Sequence, residues 1–133
     1  MQKRSVGWAL TGLFLAGMVT LAAPGCGHSV EGDYLRLCKE SCVAGDECED
    51  QTKIVVDREE CEQDCDNNSD NFADDVEDEC NGDYEIDGEQ VDRCSNALND
   101  LTNACRDDDD DAVQDAFSDY TDECLSETYV RCR

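Results

Sequence analysis

Basic residues are scarce in this sequence. Ten Lys and Arg stand against 35 Asp and Glu, a net charge of −25. Such a chain repels phosphate backbones, which excludes nucleic acid as a partner and disfavours anionic membrane surfaces. Histidine occurs once, as His28, and no C-x-x-C spacing occurs anywhere. Zinc ribbons, zinc fingers, iron–sulfur sites and thioredoxin-type motifs need closer cysteines or partner histidines, so they are excluded. Proline occurs once, as Pro24, so nothing beyond it breaks a helix by ring geometry. After residue 25 there is no Met or Trp, and Leu, Ile, Val and Phe together make up fewer than one residue in five. Below about 20%, with high net charge, that composition signals disorder. No Ser-His, Cys-His or Gly-rich phosphate motif is present, and the only aromatics after residue 25 are Tyr34, Phe72, Tyr84, Phe117, Tyr120 and Tyr129. Abundant carboxylates alone do not make a glycosidase, which also needs a cleft and sugar platforms. The sequence is read as non-enzymatic, with no cofactor, calcium excepted.

What is abundant is cysteine. There are 11: Cys26, Cys38, Cys42, Cys48, Cys61, Cys65, Cys80, Cys94, Cys105, Cys124 and Cys132. With Cys26 set aside an even ten remain, spread along the chain. A bridge in an exported domain typically adds about 2–4 kcal/mol, largely by restricting the unfolded chain. Five bridges offset what a thin core and self-repelling charge cannot supply. The expectation is a disulfide-stapled fold in an oxidising compartment.

The N-terminus reads as a targeting segment. Lys3 and Arg4 precede a run from Val6 to Ala23 without a charge. A positive start, an apolar middle and small residues at the end make a signal peptide over residues 1–25. The run Leu21-Ala22-Ala23-Pro24-Gly25-Cys26-Gly27 resembles a bacterial lipobox. The resemblance implies cleavage by signal peptidase II before Cys26 and lipidation of that cysteine. Gly27 resembles the outer-membrane sorting pattern, so the implied partner is the membrane, reached through an N-terminal lipid. In that family Leu, Val or Ile usually stands where Ala23 does. Ordinary cleavage with secretion is one alternative. An uncleaved anchor is the other, since about 18–20 apolar residues span a bilayer. Residues 26–32 then form a tether and 33–133 an acidic, disulfide-rich domain. The whole resembles the acidic, cysteine-rich envelope lipoproteins of Gram-negative bacteria.

Within the domain the apolar residues recur at helical spacing. Leu35, Cys38 and Cys42 fall on one stripe, as do Phe72, Val76 and Cys80. Cys94, Leu98, Leu101 and Cys105 form a third, and Val113, Phe117, Tyr120 and Cys124 repeat it. Asp57 before Glu60, Asp87 before Gln90 and Asp111 before Gln114 have capping-box spacing. Gly45, Asn81-Gly82 and the run Asp107–Asp111 read as stops. Five helices are expected, over about 33–44, 56–66, 70–80, 88–105 and 111–130. Ile54-Val55-Val56 is expected as an apolar lead-in packing on the helix that follows. The fold class is all-α: a small disulfide-rich helical bundle containing a stapled helical hairpin.

Two C-x-x-x-C pairs, Cys38/Cys42 and Cys61/Cys65, each place two thiols one turn apart on a helix face. Antiparallel helices would pair outer with outer and inner with inner; parallel helices would cross the pairs. The doubled motif resembles the frame of alpha-hairpinin peptides, and that resemblance implies Cys38–Cys65 and Cys42–Cys61. The interval between the pairs is longer than in that family and contains Cys48. Similar register across the Asp run suggests Cys94–Cys124. Cys48, Cys80, Cys105 and Cys132 remain, with three connectivities open.

One stretch has metal-ligand spacing. In Asp66–Glu77, residues Asp66, Asn68, Asp70 and Glu77 fit positions 1, 3, 5 and 12 of an EF-hand calcium loop. Asn71 stands where that loop has glycine. The same stretch also reads as an acidic turn between two helices, since Asn and Asp favour turns. Asp107–Asp111 reads as a solvated loop whose last member caps the final helix. Three function classes survive: a non-catalytic structural or interaction module for a basic protein partner, a low-affinity calcium or divalent-cation binder, and a secreted inhibitor-like protein.

Overall fold

The computed structural model describes residues 27–126 and 128–133. The expected signal peptide over residues 1–25 and the lipidation candidate Cys26 lie outside the described residues. The chain is a small, disulfide-rich helical fold with one two-stranded sheet.

Helix α1 spans Val30–Glu47. The Ser29 side chain caps it by accepting the Gly32 N–H, and Glu31 and Asp33 complement the positive end of its dipole. It begins earlier than the expected residue 33 and runs through Gly45 rather than stopping there. A one-turn helix, α2, covers Glu49–Thr52 and ends at Lys53, which is left-handed at φ 59°. Ile54 and Val55 then lie exposed, at 64% and 77%. Of the apolar lead-in only Val56 is half-buried; it lies against Gly45 of α1 and borders the same groove as Glu60 and Cys61 of the helix that follows.

Helix α3 spans Arg58–Glu79 and corrects the expectation of two helices over 56–66 and 70–80. The Asn- and Asp-rich stretch between them does not break. The stripe Cys65, Ser69, Phe72, Val76, Cys80 keeps helical period straight through it. Cys65 is bonded to α1, Cys80 is bonded near the C-terminus, and Phe72 stacks on Tyr34 of α1 at 4.6 Å. Tertiary contacts along the whole stripe override local turn propensity. The helix ends at Asn81 and Gly82, both with positive φ.

Strand β1, Tyr84–Ile86, leads into helix α4, Gly88–Arg106. Asp87 caps α4 by accepting the Gln90 N–H. Helix α5 spans Asp110–Tyr120, and its cap is Asp109, which accepts the Ala112 N–H, rather than Asp111. The expected helix over 111–130 is shorter. It widens to a π-helical turn at Thr121–Leu125, and Val130–Cys132 form strand β2. The end of the chain is taken by the sheet: β2 pairs antiparallel with β1, Tyr84 opposite Cys132 and Ile86 opposite Val130. The Asp87 N–H donates to the Tyr129 carbonyl at 2.8 Å, and the Cys80–Cys132 bridge closes the clip.

Helix α1 packs between α3 and α4, and α5 packs on α4. The core centres on α4, where Val91, Leu98 and Leu101 meet Leu37, Ala44 and Ala116. Three bridge cysteines, Cys48, Cys94 and Cys105, belong to that core. The few cations tie acidic elements together. Lys39 reaches Asp66, Arg36 reaches Asp92, Arg93 reaches Glu123 and Arg106 reaches Glu47. No described helix is long and apolar enough to cross a membrane.

Candidate functional site

The seam between α1 and α3 holds the most chemically distinctive constellation. Both C-x-x-x-C pairs present two thiols per turn to the facing helix. The structure joins Cys38 to Cys65 and Cys42 to Cys61, each with a Cα–Cα separation of 5.8 Å. The equal separations make an even ladder between antiparallel helices. Cys94 is joined to Cys124, and the four cysteines left open pair as Cys48–Cys105 and Cys80–Cys132. All ten described cysteines are therefore bonded. The sulfur atoms of Cys38, Cys42 and Cys65 lie within 4.8 Å of one another, but each is in a bridge and offers no thiolate to a metal.

A groove of about 390 Å³ runs along the seam. Cys38, Cys61 and Cys65 lie along it, with Tyr34 toward one end and Val55 and Val56 toward the other. Asp57, Glu60 and Asp64 line it at helical spacing along α3, and no Lys, Arg or His does. Cys42 and Cys65 are 1% exposed, whereas Cys38 and Cys61 are half-buried.

The calcium candidate is corrected. Asp66, Asn68, Asp70 and Glu77 all sit on the continuous helix α3. A helix rises about 1.5 Å per residue, which puts Asp66 and Glu77 about 16 Å apart along the axis and Asn68 on the far face. A calcium loop must fold back to bring such oxygens together. Here Asp66 instead holds Lys39 at 2.7 Å, and the Asn68 amide donates to the Asp64 carbonyl. Asp107–Asp109 form the turn between α4 and α5, and Asp110 and Asp111 open α5. Within it Asp108 is left-handed at φ 53° and accepts from Gln51, and Asp109 is the cap.

At the other end of the molecule His28 Nδ1 lies 3.1 Å from the buried Asp33 carboxylate, and the ring sits where a Cβ at Gly88 would be. Beside it Phe72 stands between Tyr34 and Tyr129. Burial, with the Asp33 carboxylate adding to it, pushes the Tyr129 hydroxyl up to about 12. The Arg36 guanidinium holds Asp92 below the usual carboxylate range, and Arg106 does the same for Glu47.

Sequence reasoning did not find the groove or the β-clip. The clip had a faint signal, since Tyr84-Glu85-Ile86 follows a turn and alternates apolar with charged. No family model matches the chain, and no curated protein or solved structure is similar to it.

Proposed function

We propose that the chain is an exported, lipid-anchored envelope protein whose domain is a non-catalytic structural or protein-interaction module. The observation that carries this is the complete pairing of the ten described cysteines. Five bridges belong to an oxidising compartment. They also leave Cys26, the residue of the lipobox-like run, without a partner among the described cysteines. Acylation gives that thiol a fate, and outer-membrane attachment follows from Gly27 as sorting residue. Helix α1 begins at Val30, so a lipid on Cys26 holds the domain close to the bilayer. The acidic faces, α3 above all, favour a basic protein partner over nucleic acid.

Mass spectrometry of the intact mature protein tests the anchor. The expected mass is that of residues 26–133 plus acyl groups, with no free thiol. A mass for unmodified residues 26–133, or for a chain beginning at Ala23, overturns it. Cys26→Ala is expected to release the protein from the membrane fraction while leaving its helical circular dichroism unchanged.

A further inference from the structure

The two rungs of the α1–α3 ladder are not independent. Cys42 Sγ of one rung lies 3.6 Å from Cys65 Sγ of the other, which is van der Waals contact between sulfurs. Thiol–disulfide exchange requires a thiolate in contact with a bridged sulfur. Opening the Cys42–Cys61 rung would leave the Cys42 thiolate at that distance from a sulfur of the remaining rung.

We propose that this ladder is a thiol–disulfide exchange site that isomerises on two-electron reduction, converting the two rungs into a diagonal Cys42–Cys65 bridge with Cys38 and Cys61 as thiols. The co-reactant is a neutral or cationic dithiol entering the groove. Its thiolate attacks Cys61 Sγ, the Cys42–Cys61 bond breaks, and the electron pair leaves on Cys42. Its second sulfur then attacks its first and becomes the oxidised disulfide, and Cys61 leaves as a thiol. The dithiol has lost two electrons and two protons, and the protein has gained them. Cys42 next attacks Cys65 Sγ. The Cys42–Cys65 bond forms, the Cys38–Cys65 bond breaks, and Cys38 carries the pair and the proton. This last step transfers no net electrons.

Burial sets the direction. Cys42 and Cys65 are the two fully buried sulfurs, and a bridge between them needs no hydration. Of the four, all but Cys42 border the groove, but Cys38 and Cys61 are the half-buried pair, whose thiols reach water, whereas Cys65 is 1% exposed. Charge sets the class of reagent. Asp57, Glu60 and Asp64 line the groove without a cation, so anionic thiols are repelled. The hairpin keeps one staple throughout. The inference goes beyond the anchoring proposal and stands whether or not Cys26 is acylated.

The test is limited reduction of the mature protein with dithiothreitol, an acid quench, alkylation and non-reducing peptide mapping. Cleavage after Lys39 separates Cys38 from Cys42, and cleavage after Glu62 separates Cys61 from Cys65. Half-reduced ladders are expected to carry label on Cys38 and Cys61 and a Cys42–Cys65 link. Label on Cys42 and Cys61 with Cys38–Cys65 intact overturns the proposal. So does an intact Cys42–Cys61 beside a reduced Cys38–Cys65, or a ladder that opens only together with the other three bridges. Cys61→Ser gives a second route, with label expected on Cys38 and not on Cys42. For groove entry, cysteamine is compared with mercaptoethanesulfonate at low salt. The cationic thiol is expected to open the ladder at least tenfold faster. Glu60→Gln with Asp64→Asn is expected to shrink that ratio, whereas Asp110→Asn with Asp111→Asn leaves it unchanged. Equal shrinkage by both pairs of variants overturns entry by the groove.

Discussion

Helices α3 and α4 are similar in length and are held in opposite ways. Of its 19 residues α4 buries ten, and it lies at the centre of the core. Of its 22 residues α3 buries two, Cys65 and Ser69. Half of α3 is Asp or Glu, and its one cation is Arg58. A helix so charged and so little buried has little packing to hold it beyond the Phe72–Tyr34 stack, since helical stability in proteins comes mostly from burial of one face. What it has is three bridges, through Cys61, Cys65 and its terminal Cys80. Covalent restriction of the unfolded chain takes the place of apolar burial on one side of α1, while α4 uses burial on the other.

The largest test of this contrast is full reduction at low ionic strength with chelator. Most of the helical circular dichroism is expected to disappear, and amide exchange should show α3 unprotected along its whole length. Protection that survives should belong to α1, α4 and α5. Salt should restore part of the signal by screening like charges. A reduced protein with its full helical signal and a cooperative melt refutes the covalent account of α3.

Next comes side-chain truncation with the bridges intact. Leu98 is 2% exposed on α4, and Leu98→Ala should cost about 3 kcal/mol in denaturant unfolding. Val76 on α3 is only half-buried, so Val76→Ala should cost about 1 kcal/mol or less. Equal losses would mean that α3 contributes to a packed core after all.

Caps should not distinguish the two helices. Asp57 and Asp87 each accept the backbone N–H three residues on, at 3.0 Å. Replacing either with Ala should cost about 1 kcal/mol. A negligible loss at Asp57 alone would show that the bridges, and not the cap, position the start of α3.

The smallest effect belongs to the exposed pair Arg36–Asp92, which links α1 to α4. Arg36 holds Asp92 below its ordinary value in the folded state. The resulting stabilisation is present above the unfolded carboxylate range and is lost as pH falls through the lowered folded value. Arg36→Gln should therefore lower stability slightly at neutral pH, near the limit of measurement for an exposed pair, and make no difference in acid, where Asp92 is protonated in both proteins. Chemical denaturation at a series of pH values reads this.

The same contrast explains what could be read from the chain. Helix α4 was legible because Cys94, Leu98, Leu101 and Cys105 carry an apolar period and Asp87 a cap. Both features are local. Helix α3 was read as two because its middle, Asn67 to Asn71, has the composition of a turn. Its continuity depends on Tyr34, Cys38 and Cys132, which are remote in sequence. Cys38–Cys65 and Cys42–Cys61 were accessible because two x₃ gaps on facing helices leave few registers. Cys48–Cys105 and Cys80–Cys132 close over separations of 57 and 52 residues, and no local period points across such distances. The candidate groove was illegible for another reason. It exists only where α3 lies against α1, with Val55 and Val56 closing one end, and no single segment encodes it.

Lys53 gives the molecule an unusual response to proteolysis. It is exposed and left-handed in the short link between α2 and α3, ahead of the exposed Ile54 and Val55. Trypsin recognises such a lysine, and the peptide bond after it is accessible. Three bridges, Cys38–Cys65, Cys42–Cys61 and Cys48–Cys105, span that bond. A nick there does not release a fragment. It yields a two-chain protein that migrates as one band on a non-reducing gel and as two after reduction, with the ladder joining α1 and α3 as a seam between separate polypeptides.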